Sequence, residues 1–240
     1  MRAIILSAGA GTRLLPLTRE MPKCLVPVGG RAILDHQLTA LAEAGVGHAT
    51  VVGGYRFGQL ASHLRGSRPP ISTELVFNPF WSVASSIGSV WSARALLAEP
   101  FILVNGDTLF DAAILSAALG AGAPGVSLVV EPIGAPDHDD MRVAVEAGRV
   151  RDVRKDLDDA THRSLGIVLS SGGGAYRDAL DAVIGAEGGT DAFHHAVVAR
   201  LARDTLIHAV EAVPARWQEV DRPEDIGAGT RTRAGTVVRA

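Results

Sequence analysis

Cysteine, aromatic residues and long apolar runs are scarce in this chain of 240 residues, and each scarcity excludes a class of protein. The single cysteine, Cys24, excludes an intrachain disulfide framework and suits a reducing compartment. No apolar stretch reaches about 18 residues, so we expect no transmembrane helix. The apolar run that begins at Ala3 is too short for a signal peptide, and the predicted location is the cytoplasm.

A surplus of charge is also missing. The chain has 23 basic and 26 acidic residues, which gives a net charge of −3. A nucleic-acid-binding protein would need a basic surplus clustered on one face. We therefore expect no nucleic acid and no membrane among its partners, and a compact anionic substrate fits the balance better. Since 47% of the residues are hydrophobic, the chain has enough apolar side chains for the core of one large domain.

Apolar runs alternate with helical segments in the N-terminal half. Runs typical of strands lie at 3–6, 49–52, 74–77, 101–104 and 126–130. Helical segments lie between them at 32–44, 57–64, 86–97 and 111–119. This alternation predicts an α/β fold: a Rossmann-like, doubly wound and mostly parallel sheet between two helical layers. Such sheets bind ligands at the carboxyl ends of their strands.

The rhythm changes after residue 131. Short strand-like runs lie at 141–146, 149–154 and 165–169, with a turn at Ala147-Gly148. Helical segments follow at 176–184 and 192–202, and another strand at 206–210. We predict one domain over residues 1–240. It consists of a nucleotide-binding half (1–130), an acceptor-binding half with a small mixed sheet (131–226) and a polar, glycine-rich tail (227–240).

A glycine-rich loop follows the first strand, with Gly-Ala-Gly at 9–11. Small residues let the backbone approach a ligand, and the N–H groups of such a loop hold phosphate oxygens. Arg13 and Lys23 add fixed positive charge. A dinucleotide-binding loop would need glycine where Leu14 stands, and a Walker loop would need Gly-Lys-Ser/Thr, which is absent. The loop alone favours a phosphate site without fixing its class.

The wider pattern is more specific. Leu-Ser-Ala-Gly-Ala-Gly-Thr-Arg at 6–13 is followed by Pro16, Thr18 and then Pro-Lys-Cys-Leu at 22–25. This opening resembles the nucleotidyltransferase family, whose motif is L-[AS]-A-G-x-G-[TS]-R-(L/M)-x-P-x-T and then P-K-x-L. The resemblance continues through residues 28–34, with Ala32 in place of the usual proline, to Asn-Gly-Asp at 105–107 and Glu-Val-Asp at 219–221.

The resemblance implies roles for the matching residues. Arg13 and Lys23 would be catalytic, and Asp107 and Asp221 would hold Mg²⁺ between them. The implied nucleotide-binding residues are Leu6, Ala8, Gly9, Gly11, Thr12, Arg13, Lys23 and Gly106.

The two aspartates also have a chemical argument of their own. Mg²⁺ prefers hard oxygen ligands, and Asp107 follows an apolar strand at the ligand-binding edge of the predicted sheet. The alternative for Asp107 is an ordinary turn aspartate, and the alternative for Asp221 is a helix start before Pro223. Glu219 lies two residues before Asp221 and would share its face of a strand, as a second ligand or as a substrate contact.

The acceptor is predicted from weaker signals. Asn78, Ser86 and Ser89 resemble a stretch of the cytidylyltransferases for phosphocholine and related substrates, although Ser86 replaces asparagine. Helix capping is the alternative for these residues. Lys155 is a candidate for the acceptor's phosphate or phosphonate, against a solvated lysine in a turn. The chain lacks the E-x-E-K-P element of sugar-1-phosphate enzymes and ends its matching part with Glu-Val-Asp, which resembles cytidylyltransferases for phosphocholine or 2-aminoethylphosphonate.

Two clusters stay open. The acidic run at 137–140 offers carboxylates for an acceptor amine, or else is a solvated loop. His194 and His195 are interpreted as surface or acceptor-pocket residues, because neighbouring helical residues point about 100° apart and cannot chelate one metal. A quaternary ammonium would need an aromatic cage, for which Trp81, Phe193, Trp217 and Tyr176 are candidates.

The predicted function is therefore transfer of CMP from CTP to a small phosphorylated or phosphonate acceptor, with Mg²⁺ as cofactor and release of pyrophosphate. One alternative is a sugar-1-phosphate nucleotidyltransferase that uses UTP, dTTP or GTP. Another is a catalytically silent nucleotide-binding regulator. The sequence fixes neither the base nor the acceptor nor the oligomeric state, and a homodimer is one state that the resemblance allows.

Overall fold

The computed structural model describes residues 1–134 and 137–227. Residues 228–240 of the predicted tail lie outside the described residues, whereas Gly227 ends a short helix. The strands are β1 (Arg2–Ser7), β2 (Pro27–Val28), β3 (Arg31–Ala32), β4 (His48–Gly53), β5 (Ser72–Phe77), β6 (Phe101–Asn105), β7 (Thr108–Phe110), β8 (Val126–Pro132), β9 (Arg142–Glu146), β10 (Arg149–Arg154), β11 (His162–Ser170), β12 (Ile207–Glu211) and β13 (Trp217–Glu219). The helices are α1 (Ile33–Glu43), α2 (Phe57–Ser67), α3 (Ser86–Ser92), α4 (Ala112–Gly120), α5 (Ala175–Ile184), α6 (His195–Asp204) and α7 (Pro223–Gly227). In the described part of the chain, no helix has the length and apolar character needed to cross a bilayer.

A nine-stranded sheet forms the centre of the fold, in the order β5-β4-β1-β6-β11-β8-β12-β10-β9. The first four strands in this order are parallel, as the alternation of strands and helices predicted. Beyond β6 the sheet is mixed: β11 is antiparallel to both β6 and β8, whereas β12 is parallel to β8. The antiparallel pair β9–β10 reverses the chain before it enters β11. The α/β class and the doubly wound arrangement are confirmed.

Alternation along the strands fills both faces of the sheet. In β1, Ile4 packs on one face and Ile5 on the other, and both side chains are fully buried. The face of Ile4 is covered by α3, α5 and α6. The face of Ile5 is covered by α1, α2 and α4. Each such aliphatic side chain contributes roughly 1.5–3 kcal/mol by leaving water, so the strands are fixed from both sides.

Some predicted boundaries shift for local reasons. The helix predicted at 86–97 ends at Ser92, and a 3₁₀ turn, Arg94–Leu96, follows it. The Ser92 hydroxyl donates to the carbonyl of Gly88 at 2.9 Å, a contact that often bends helices. The strand predicted at 165–169 extends over the whole of β11, with a register shift between Ser164 and Val168.

The small sheet β7–β13 was not predicted, although it positions the site described below. Its strands are antiparallel, with Phe110 opposite Trp217 and Thr108 opposite Glu219. One further backbone hydrogen bond, from the N–H of Val220 to the carbonyl of Asp107, is 3.0 Å long. This pairing brings a segment near the C-terminus of the described chain against the end of β6.

Cys24 is buried, and its burial raises the pKa of the thiol to about 12. A protonated thiol is a poor nucleophile and a poor metal ligand. Cys24 is therefore a packing residue, in agreement with a chain that has no cysteine partner for it.

Candidate active site

A cavity of about 280 Å³ opens at the carboxyl ends of β1 and β6. It lies where a doubly wound sheet binds its ligands. Most of the residues predicted for the site line it: Leu6, Ala8, Gly9, Arg13, Lys23, Asn78, Ser86, Ser89, Gly106, Asp107, Lys155, Glu219 and Asp221. Gly11 and Thr12 do not line this cavity, and Thr12 is exposed.

Gly11 shapes the phosphate loop, residues 8–13, without lining the cavity. Its φ of 63° lies in the left-handed region, where side chains are disfavoured. A β-carbon on Gly11 would lie 2.8 Å from the β-carbon of Lys23. The Thr18 hydroxyl donates to the Gly11 carbonyl at 2.8 Å and holds the loop in place. The glycine therefore lets the loop fold back against the lysine.

Gly106 is needed for a different reason. Its N–H donates to the carbonyl of Leu6 at 3.1 Å, which ties the end of β6 to the end of β1. A β-carbon at this position would lie 2.3 Å from that carbonyl oxygen and 2.8 Å from the hydroxyl oxygen of Ser7. The Asn-Gly-Asp motif thus has glycine where two strands come too close for a side chain.

We expect Gly106→Ala to lower the free energy of unfolding by about 1–3 kcal/mol, because the added methyl group must displace backbone. Chemical denaturation followed by circular dichroism measures this. Gly9→Ala is the matched control, since a β-carbon there meets nothing within 4 Å. Equal stability of the two variants would refute the assigned packing role of Gly106.

Lys23 lies between two carboxylates that are far apart in sequence. Its ammonium group is 2.7 Å from a carboxylate oxygen of Asp107 and 2.5 Å from one of Asp221. Asp107 follows β6, and Asp221 follows β13, so the β7–β13 pairing brings them together. Arg13 donates to the same oxygen of Asp221 at 3.0 Å. The structure therefore brings together the residues predicted to be catalytic and those predicted to bind metal.

The charges in this group shift one another's pKa values. Burial alone would lower the pKa of Lys23, but Asp107 and Asp221 outweigh burial and raise it. Burial alone would raise the pKa of Asp107, but Lys23 outweighs it and holds that pKa below its ordinary value. Burial, with the nearby Asp107 and Asp221, raises the pKa of Glu219 to about 8. The site thus holds an ammonium between two carboxylates, next to the Glu219 carboxyl group, whose raised pKa disfavours loss of its proton.

The donor set fits a divalent cation. One oxygen of Asp107, Oδ1, is buried and has no hydrogen-bond partner among the described residues. A buried acceptor without a partner costs free energy, which a cation or a bound water would recover. The side chains of Asp107, Asp221 and Glu219 offer only carboxyl oxygens, the type of ligand that Mg²⁺ prefers.

Asp139, in the run left open by the sequence, is the centre of a second set of ion pairs. Its carboxylate contacts Arg13 at 2.9 Å, Arg222 at 3.1 Å and Lys155 at 3.3 Å. The side chain is 25% exposed, so Asp139 is not simply part of a solvated loop. Among the described residues, Asp137, His138 and Asp139 also offer ligand atoms within 4.8 Å of one another.

The polar atoms of the predicted acceptor residues are mostly used within the protein. The Asn78 amide donates to the Ser89 hydroxyl at 3.1 Å and accepts from the N–H of Phe80 at 2.8 Å. The Ser86 hydroxyl accepts from the N–H of His194 at 2.9 Å, which joins the start of α3 to the start of α6. These contacts position the cavity wall, and a direct contact with the acceptor stays a prediction.

Of the two interpretations of the histidine pair, surface residues or acceptor-pocket residues, the first was wrong, and the second stays a prediction. His194 and His195 are buried at the cavity wall, and their ring centroids are 4.0 Å apart. His194 Nε2 contacts the side-chain oxygen of Asn105 at 2.8 Å, and His195 Nε2 contacts the Ser164 hydroxyl at 3.0 Å. Burial lowers the pKa of His194 to about 4, so the ring is neutral at physiological pH. No sequence signal marked Asn105 or Ser164 as their partners.

The aromatic candidates do not form one cage around the cavity. Trp81 and Phe193 line it, and Lys155 Nζ lies 5.0 Å from the centroid of Phe193. Tyr176 packs edge-on against Phe101 in the core. Trp217 is buried and donates to the carbonyl of Leu165 at 3.1 Å. A cation already occupies the face of Phe193, which disfavours a quaternary ammonium there.

Comparison with curated proteins finds relatives that match part of the chain. The chain is 37% identical over 113 residues to the mannose-1-phosphate guanylyltransferase catalytic subunit beta of Drosophila melanogaster, which is 46% of this chain and 31% of that protein. It is 35% identical over 136 residues to a CMP-5′-(3-aminopropyl)phosphonate synthase of Streptomyces rubellomurinus, covering 55% of this chain and 22% of that protein. It is 47% identical over 64 residues to the CTP:phosphoglutamine cytidylyltransferase of Campylobacter jejuni, covering 27% of this chain and 25% of that protein. The chain thus spans less than a third of the length of these relatives.

Comparison with solved structures extends over the whole fold. The inositol-1-phosphate CTP transferase of T. maritima superposes with a TM-score of 0.80 at 20% identity, covering 96% of this chain and 97% of that one. A likeness at this identity concerns the fold. Among known families, residues 2–125 match the one described as Nucleotidyl transferase, and they contain the phosphate loop, Lys23 and Asp107. The chain belongs to the nucleotidyl transferase family.

Proposed function

We propose that this protein transfers CMP from CTP to a small phosphorylated or phosphonate acceptor and releases pyrophosphate. The observation that carries the proposal is the position of Lys23, between Asp107 and Asp221 and against the phosphate loop. An acceptor oxyanion attacks the α-phosphorus of CTP, a new P–O bond forms, and the bond to the pyrophosphate oxygen breaks. The nucleophile is already ionised at neutral pH, so the reaction needs alignment and charge neutralisation more than a base.

Lys23 and Arg13 supply the fixed positive charge. Lys23 is held on one side of the cavity by two carboxylates, and Arg13 reaches the same region from the phosphate loop. Cationic groups aimed at the α-phosphate oxygens stabilise the charge that accumulates as attack proceeds. Their ion pairs with Asp221 hold both side chains in position before the substrates bind.

Asp107 and Asp221 are the proposed ligands of Mg²⁺, with Glu219 as a further oxygen donor. The free oxygen of Asp107 supports this assignment. Bound Mg²⁺ would neutralise phosphate charge and orient the triphosphate. Loss of the Glu219 proton would give the group a third carboxylate charge.

Two features favour a cytidylyltransferase with a phosphonate or phosphate acceptor. The relatives include one protein named for a CMP-linked aminopropylphosphonate and one named for CTP and phosphoglutamine. The E-x-E-K-P element is also absent from the region of Lys155. The crowded carboxylates and the Lys155–Phe193 contact favour an acceptor with an amine or a neutral tail over phosphocholine.

The experiment is a matrix of nucleotides and acceptors with pyrophosphate release as the readout. CTP, UTP, dTTP and GTP are each combined with 2-aminoethylphosphonate, 3-aminopropylphosphonate, phosphocholine, inositol 1-phosphate and mannose 1-phosphate, with and without Mg²⁺. We expect release with CTP and a phosphonate or phosphate acceptor, and none without divalent cation. Binding of nucleotides without release from any pair would favour a silent regulator.

A second candidate is a sugar-1-phosphate nucleotidyltransferase. It is favoured by the 37% identity over 113 residues to a mannose-1-phosphate guanylyltransferase subunit. Release from GTP and mannose 1-phosphate, with no release from CTP pairs, would select it over the first proposal.

A further inference from the structure

Asp139 holds three cations that come from three parts of the fold. Arg13 belongs to the phosphate loop, Lys155 follows β10, and Arg222 precedes α7. These residues, the cation trio, converge on one carboxylate at 2.9–3.3 Å. Arg13 and Lys155 line the same cavity as Lys23. Arg13 and Lys155 therefore face the space in which the polyphosphate and the acceptor would meet, and Arg222 reaches Asp139 from an adjoining pocket that Asp139 also lines.

Asp139 differs from the other carboxylates of the site. Asp107 and Asp221 are paired with Lys23, and a divalent cation between them would take over their charge. A divalent cation cannot replace the cation trio in the same way. At Asp137, His138 and Asp139 it would lie next to the guanidinium groups of Arg13 and Arg222. A metal cation and the two guanidinium groups would repel each other at these distances, so the surroundings of Asp139 favour an anion over a metal.

We propose that Asp139 is an internal competitor, a carboxylate that fills an anion site formed by Arg13, Lys155 and Arg222 until a phosphate or phosphonate group displaces it. This inference deepens the proposed function and rests on it. Two arginines present planar donor pairs to tetrahedral phosphate oxygens, and Lys155 adds a point charge. The displacing group belongs either to the nucleotide's polyphosphate tail or to the acceptor.

Competition by Asp139 also makes the anion site selective for highly charged ligands. A monoanionic or poorly placed ligand has to break three ion pairs with Asp139 and recovers less than it breaks. A dianionic phosphate or phosphonate makes stronger charge-assisted hydrogen bonds to the same donors. Asp139 therefore lowers the affinity of the anion site for weakly charged ligands and favours dianionic groups.

The test is isothermal titration of the metal-free protein with two probes, inorganic pyrophosphate for the polyphosphate tail and methylphosphonate for the acceptor head group. Asp139→Asn keeps the shape of the side chain and removes its charge. We expect it to bind one of the probes at least about fivefold more tightly than the wild type, as three partly exposed ion pairs are removed from competition. The probe that gains affinity identifies the source of the displacing group.

Controls separate competition from a general change in charge. Asp158→Asn removes the same charge from an exposed residue for which no ion pair occurs in the described chain, and we expect wild-type affinity. Arg222→Gln should weaken binding of the probe that gains affinity in Asp139→Asn by about threefold or more. Asp139→Ser serves as a second neutral variant if Asp139→Asn does not fold.

Equal or weaker binding of both probes by a folded Asp139→Asn would overturn the inference, because Asp139 would then support the cations instead of competing. The titrations need no turnover. If the wild type releases no pyrophosphate in the substrate matrix but Asp139→Asn still gains affinity, the proposed function fails and the competitor survives.

Discussion

Replacement of Lys23 by alanine is expected to lower kcat by about a thousandfold or more. The lysine is the cation held between Asp107 and Asp221. In the proposed mechanism it stabilises the charge that develops at the α-phosphate. Removing one preorganised donor from a developing oxyanion costs about 10²–10³ in rate, and the loss of a full charge costs more. Pyrophosphate release at saturating substrates and Mg²⁺ measures the effect.

The same change has a consequence for stability. Without Lys23, the carboxylates of Asp107 and Asp221 face each other with less compensation, and Mg²⁺ can replace the lost charge. We therefore expect the Tm of Lys23→Ala to rise more with added Mg²⁺ than that of the wild type. Arg19→Ala is the control, since Arg19 is exposed and outside the cavity lining. Near-wild-type kcat in Lys23→Ala with excess Mg²⁺ would remove the lysine from the mechanism.

Replacement of Asp107 by asparagine is the second large effect, with an expected loss of about a thousandfold in kcat/KM. Asparagine has the same shape but lacks the charge that a divalent cation requires. A cation that contributes several kcal/mol to the transition state accounts for a loss of this size. The measurement is the rate as a function of Mg²⁺ concentration.

The Mg²⁺ dependence distinguishes the two variants. In Asp107→Asn, the half-saturating Mg²⁺ concentration should rise, and high Mg²⁺ should restore part of the rate. In Lys23→Ala, Mg²⁺ should leave kcat low. Asp156→Asn removes an aspartate charge whose side chain is 84% exposed, and it should behave as wild type. An unchanged Mg²⁺ dependence in Asp107→Asn would show that Asp107 is only a turn residue.

The first half of the fold could be predicted because local pattern and tertiary structure agree there. Strands such as β1 and β4 are continuous apolar runs, and their parallel register follows from the helices between them. The β7–β13 pair could not be predicted in the same way. Its strands are three residues long, and their pairing depends on contacts between segments about a hundred residues apart.

The residues of the site also fall into a group that could be predicted from the sequence and a group that could not. The roles of four residues were predicted from the resemblance to the nucleotidyltransferase family, whose motifs match at Arg13, Lys23, Asp107 and Asp221. Their roles remain predictions, although the structure brings them together. The ion pairs of Asp139 left no sequence signal, since an acidic run in a loop looks the same whether it is solvated or paired.

His194 and His195 show why burial at the cavity wall could not be predicted from the sequence. The helix was predicted at 192–202, but α6 begins at His195, and His194 lies just before it. The burial of both rings depends on the β11 and α3 contacts that surround them. A one-dimensional pattern gives the direction of a side chain relative to its neighbours on the helix. It does not give the wall against which that side chain packs.

The proposed metal site is tested most directly by anomalous diffraction from crystals grown with Mn²⁺ and a non-hydrolysable CTP analogue. We expect a manganese peak between the carboxylates of Asp107 and Asp221, with the triphosphate against the phosphate loop and Lys23 displaced toward the triphosphate. A peak confined to Asp137, His138 and Asp139, or a nucleotide bound with no metal between Asp107 and Asp221, would refute the proposed site.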